Sequence, residues 1–151
     1  MSKKEIKLNY CMAKTTKKIT KRIIQEEVKK IPEKAKKEGW VLTFDKDEGA
    51  FFYSPNIIPT NTELHQITDE YSIYLDKNFN SHGVMIECYG NNFVEHHPEF
   101  KKLTEDLFGD KKKNEIRVAD PNKNKEALTL KALFEKTLIT EICIEKDKIV
   151  V

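Results

Sequence analysis

Between Ser72 and Tyr89 apolar and polar residues alternate on both sides of a short connection, and this restricts the fold more than any other stretch. Ile73 and Leu75 share one side, with Tyr74 on the other. After Asn78-Phe79-Asn80-Ser81-His82-Gly83, Val84, Ile86 and Cys88 share one side, opposite Met85, Glu87 and Tyr89. A period of two around a Gly-containing turn predicts an antiparallel hairpin. The same pattern lies upstream: Trp40–Phe44 alternates, Asp45–Gly49 turns, and Ala50–Ser54 returns.

Helical spacing flanks the hairpins. Ile19, Ile23, Ile24, Val28, Ile31 and Ala35 form one stripe, predicting an amphipathic helix over about 15–38. Thr15 or Thr16 would cap it, Pro32 would kink or restart it, and Gly39 would end it. Phe93, Phe100, Leu103 and Leu107 predict a second helix over about 92–108, with Pro98 in its first turn and Gly109 at its end. Ala127–Lys136 predicts a third. Residues 55–66, with two prolines and two asparagines, read as an ordered loop. Asp110–Lys113 reads as a solvated turn. Ile116–Val118, Thr140–Ile144 and Ile149–Val151 read as short strands.

The expected architecture is therefore α+β. An antiparallel sheet of two hairpins plus C-terminal strands would carry helices packed on one face. The 151 residues make one domain, with residues 1–14 as an irregular extension and Met12 as an alternative start to Met1. Eight Phe and five Tyr argue for a packed core despite a charged fraction of 34%. No apolar run approaches the roughly 18 residues of a membrane span, and no apolar stretch follows the basic N-terminus as in a secretory signal. Three cysteines, Cys11, Cys88 and Cys143, lack CxxC spacing. They read as reduced thiols of a soluble cytoplasmic protein, two of them in buried strands.

The net charge of +2 conceals a partition. Residues 1–37 hold thirteen Lys or Arg against four Glu, residues 38–100 hold eleven acids against two Lys, and the rest is close to balanced. All four histidines, His65, His82, His96 and His97, fall in the acidic middle. Segregation of this kind favours steered association between unlike faces.

No reactive signature stands out. The five glycines are scattered singly, which excludes a phosphate-cradling loop or dinucleotide fingerprint, and no cofactor is expected. There is no nucleophile elbow and no Cys/His signature. Asp69, Glu70, Asp76, Glu87 and His82 could serve acid–base chemistry, but such acids usually lie on a solvated face. The expectation leans away from an enzyme and assigns no catalytic residue.

Three readings follow. The leading one is a non-catalytic regulatory or protein-interaction module, binding a protein partner or a second copy of itself through an acidic, aromatic surface. Tyr53, Tyr71, Tyr74, Phe79 and Tyr89 on the hairpins would form that surface. The first alternative is nucleic-acid association, with Lys14, Lys17, Lys18, Lys21 and Arg22 contacting phosphates. This stretch lacks interleaved aromatics, and a soluble Lys face is the plainer reading. The second alternative is a metal-dependent hydrolase with His82, His96 and His97 as ligands. Adjacent His96 and His97 would diverge by about 100° on a helix, which weakens that set.

Overall fold

Thr20 opens the first helix by accepting a hydrogen bond from the Ile23 N–H on its side-chain oxygen, 3.2 Å away. The computed structural model describes residues 18–109 and 116–151, so Thr15, Thr16, the expected extension over 1–14 and the turn at Asp110–Lys113 lie outside the described residues. Helix α1 spans Lys21–Glu38 and ends at Gly39, whose φ of 68° suits a residue without a Cβ. Pro32 sits inside it without ending it. The predicted stripe is the buried one: Ile24, Val28, Ile31 and Ala35 are buried, and Ile19 packs against the core from its edge.

The first hairpin follows as β1 (Val41–Asp45) and β2 (Ala50–Ser54). Asp45 closes its turn, accepting the Gly49 N–H on its backbone oxygen and the Glu48 N–H on its side chain. Strand β3 (Glu63–Gln66) pairs with β4 (Tyr71–Leu75), which pairs with β5 (Ser81–Ile86). Strand β6 (Ile116–Ala119) lies against β1. The sheet has six strands in the order β3-β4-β5-β2-β1-β6, and every pairing is antiparallel. Helices α2 (Lys101–Phe108) and α3 (Lys125–Ile139) complete an α+β fold.

The register places Leu42, Phe51, Tyr53, Val84, Ile86, Tyr71 and Ile73 on one side of the sheet, each at most 1% exposed. They form one core cluster with the buried residues of the helices. Phe134 of α3 is its hub, setting its ring edge-on to Phe51, Tyr53 and Tyr71. Burying a ring of this size contributes roughly 3 kcal/mol, which is why the aromatics fix how α3 sits on the sheet. Phe52, Ser72 and Tyr74 occupy the opposite side and stay half-buried.

Several local expectations need correction. Neither Thr140–Ile144 nor Ile149–Val151 is a strand: the first continues α3 as a wide helical turn with Ile142 buried, and the second is an irregular tail that pairs with no strand of the sheet as a ladder. The alternation Ile142, Cys143, Ile144 mimics a strand, but the helix already running through Leu138 carries it on. Glu63–Gln66, expected in a loop, is an edge strand held by its pairing to β4. The helix expected over 92–108 is broken into a wide turn at Tyr89–Phe93, one α-turn at Val94–His96, a tight turn at Pro98–Phe100, and α2. Pro98 causes the central break, because the residue before a proline is driven out of the helical region; His97 has φ −134° and ψ 68°. Cys88 is exposed and left-handed with φ 53°, beyond the end of β5, and Cys143 is half-buried in the wide helical turn.

Candidate functional site

Three separate segments meet at one end of the sheet. The first is the β3–β4 turn. Thr68, 4% exposed, accepts the backbone N–H groups of Glu70 and Tyr71 on its hydroxyl oxygen at 3.1 and 3.0 Å. Its own N–H and that of Ile67 donate to Tyr71 O. These bonds lock the turn and fix where the Glu70 carboxylate points.

The second segment carries His97. Its Nδ1 lies 2.8 Å from Phe93 O, and a carbonyl can only accept, so Nδ1 carries a proton. The imidazole also stacks on Phe93, with ring centroids 4.0 Å apart. Two constraints on one ring leave Nε2 aimed in a single direction. It points at Glu141 Oε2, 2.5 Å away, and lies 3.9 Å from Glu70 Oε1.

The third segment is the wide helical turn after α3 together with the C-terminal tail. Glu141 is 7% exposed between the buried Leu138 and Ile142. Lys148 places Nζ 3.9 Å from Glu141 and 3.2 Å from Glu145. The tail is tied back to the first segment, because Val150 N–H donates to Ile67 O at 2.9 Å.

Between these walls lies a cleft of about 700 Å³. Glu70, His97 and Glu141 form its floor, each offering one donor atom within 4.8 Å of the other two. Asp69, Glu145, Asp147 and Lys148 stand exposed around the opening. His96 also lines it, with Nδ1 3.1 Å from Glu70 Oε2.

The electrostatics follow from this geometry. Burial pushes His97 toward its neutral form, but the bonds to Glu141 and Phe93 and the charges of Glu141 and Glu70 outweigh it, so its pKa is raised. Burial likewise pushes Glu141 up, and its bond to His97, the charges of His97 and Lys148, and the nearby Tyr71 phenol outweigh that, so its pKa is lowered. Tyr71 is fully buried, and its hydroxyl approaches Glu141 closely enough to influence it without closing a hydrogen bond of good geometry to any described residue. Burial first, then the charge of Glu141, holds the phenol protonated with its pKa well above the ordinary value.

The sequence-derived candidates are divided by this arrangement. His96 and His97 reach the cleft; His82 does not, and instead pairs with Asp76 at 2.9 Å beside the β4–β5 connection. His82 therefore lies apart from His96 and His97, and the side chains whose donor atoms converge in the cleft are those of Glu70, His97 and Glu141. Tyr53, Tyr71 and Tyr89 are 0% exposed and cannot present a partner surface, because their rings face the helices. Tyr74 and Phe79 keep part of their surface. Lys18, Lys21 and Arg22 are exposed at the start of α1, while Lys14 and Lys17 lie outside the described residues. No helix among the described residues is long and apolar enough to cross a membrane.

Glu141 was not singled out from the sequence. Its signal was present as one acid inside the apolar run Leu138–Ile144. Glu70 reads in the sequence as an ordinary solvent-face acid. No protein-family model matches the chain, and neither does any curated protein or solved structure.

Proposed function

We propose that this protein is a binding module, and that its cleft receives a positively charged segment of a protein partner. One observation carries this reading: among the described residues, five carboxylates, those of Asp69, Glu70, Glu141, Glu145 and Asp147, line the cleft against Lys148 and the histidines His96 and His97. Charge of one sign focused in a concave site attracts the opposite sign and speeds encounter. The exposed lysines of α1, including Lys29, Lys36 and Lys37, give a second copy of this chain the same charge, so self-association is one form of the reading.

Calorimetric titration of the full chain with a lysine-rich and a glutamate-rich peptide tests it. The lysine-rich peptide binds and weakens steeply with salt, as exposed charge pairs do. The double variant Asp69→Asn, Asp147→Asn weakens it about tenfold, from two exposed charges worth roughly 0.7 kcal/mol each. Equal binding of both peptides, or none of either in dilute salt, contradicts the reading. Sedimentation of the protein alone tests self-association.

A further inference from the structure

We infer that Glu70, His97 and Glu141 form a binding site for a divalent transition-metal ion, of which Zn²⁺ is the probe. The inference goes beyond the proposed function, because it concerns a different ligand, a metal ion held on the floor of the cleft.

Four observations carry it. First, one imidazole nitrogen and two carboxylate oxygens, contributed by three separate segments, lie within 4.8 Å of one another. Bonds of about 2.0–2.2 Å to a central ion place tetrahedral neighbours roughly 3.4 Å apart. The two separations from His97 Nε2, 2.5 Å to Glu141 and 3.9 Å to Glu70, bracket that value. Second, His97 uses Nδ1–H on the Phe93 carbonyl, as metal-bound histidines do, which leaves Nε2 as the donor facing the carboxylates.

Third, two largely buried carboxylates face the one His97 imidazole, with side chains 15% and 9% exposed, and the half-exposed Lys148 comes no nearer to Glu141 than 3.9 Å. Fourth, the Tyr71 hydroxyl is fully buried at this acidic end and meets Glu141 without a hydrogen bond of good geometry. Water on a bound ion would complete the hydrogen bonding of such a hydroxyl. The mixed nitrogen and oxygen set favours zinc-like ions over Mg²⁺ or Ca²⁺, which prefer oxygen alone. On loading, the ion takes the place of the proton between His97 and Glu141, and that proton leaves to solvent. Three protein ligands leave coordination open toward the cleft.

The test is Zn²⁺ titration of the chelator-treated full chain, with elemental analysis after dialysis. One ion binds per chain. Glu70→Gln and His97→Gln each lower affinity by at least about 100-fold, the upper end for losing an outer-shell partner, and Tyr71→Phe lowers it about tenfold. His82→Asn leaves it unchanged. Should a floor variant fail to fold, Co²⁺ absorption of the unaltered protein decides: nitrogen and oxygen ligation supports the site, and a sulfur-to-cobalt band assigns the ion to a cysteine and overturns it. Absence of saturable binding, or binding indifferent to Glu70→Gln and His97→Gln, also overturns it. His97→Gln, which removes none of the five carboxylates, supports this inference if it abolishes metal binding while lysine-peptide binding persists; loss of peptide binding alone, in the Asp69→Asn, Asp147→Asn variant, bears only on the proposed function.

Discussion

The imidazole of His97 and the carboxylate of Glu141, 44 positions apart in the chain, meet at 2.5 Å. This one contact joins the segment after β5 to the segment after α3, so its ionisation is tied to stability. In metal-free protein the raised pKa of His97 gives stability that is fully present below its ordinary 6.5 and is lost as pH rises through the raised value. The lowered pKa of Glu141 gives stability present above its ordinary 4.5 and lost as pH falls through the lowered value. Melting curves of wild type and Glu141→Gln should therefore differ most between pH 4.5 and 6.5 and converge at both extremes. Within that window the variant loses about 2 kcal/mol, the range for a hydrogen bond to a charged group. A difference that is flat across pH contradicts the pairing.

Tyr71→Phe separates a structural tyrosine from one waiting for a ligand. The ring stays packed on Phe93 and Phe134, and only a hydroxyl without a well-formed hydrogen bond is removed. Metal-free Tyr71→Phe is expected to be as stable as wild type or up to about 1 kcal/mol more stable, since an unsatisfied buried hydroxyl carries a desolvation penalty. Denaturant titration measures this, and a clear loss of stability would show that the hydroxyl has a partner.

Gly83 is required where β5 passes β2. Its φ is 151°, and a Cβ built there would lie 2.7 Å from the Cβ of Ser54. Neither atom sits on a flexible end, so backbone must move. Gly83→Ala should cost about 1–3 kcal/mol, read from the denaturation midpoint. An unchanged midpoint would show that the two strands can separate freely.

Glu27 is an acid on the buried stripe of α1, 6% exposed. It accepts the Ser81 backbone N–H at 3.0 Å and faces Lys30 at 3.0 Å and Lys34 at 3.7 Å. It pins α1 to the start of β5. Glu27→Ala leaves that N–H buried without an acceptor and should cost about 2 kcal/mol, with faster amide exchange at Ser81. Glu27→Gln keeps an acceptor and should recover most of the loss.

The hairpins and α1 were legible because local periodicity alone specifies them. Ile24, Val28, Ile31 and Ala35 mark a helix face whatever surrounds them, and Phe51 and Tyr53 mark one side of a strand. Elements that depend on a neighbour were not. Glu-Leu-His-Gln at 63–66 has no β-branched residue, and it is a strand because β4 offers it a free edge. Thr140–Ile144 alternates like a strand and stays helical because α3 runs into it. The site was half legible. Adjacent histidines drew notice, but His97 is aimed by Phe93 and Pro98, and its partners come from a turn and a helix end that only the tertiary fold brings near. Glu141 and Glu27 share a signal that periodicity overlooks: each is an acid set in an apolar face, and each has a named partner.

Backbone amide shifts of the full chain, followed during titration with a lysine-rich peptide, test most directly whether this cleft is where the protein meets a positively charged ligand. The account predicts saturable shifts that are largest at Asp69, Glu70, Glu145, Asp147 and Lys148. Absence of shifts, or shifts confined to α1 or to the sheet side bearing Phe52 and Tyr74, would contradict it.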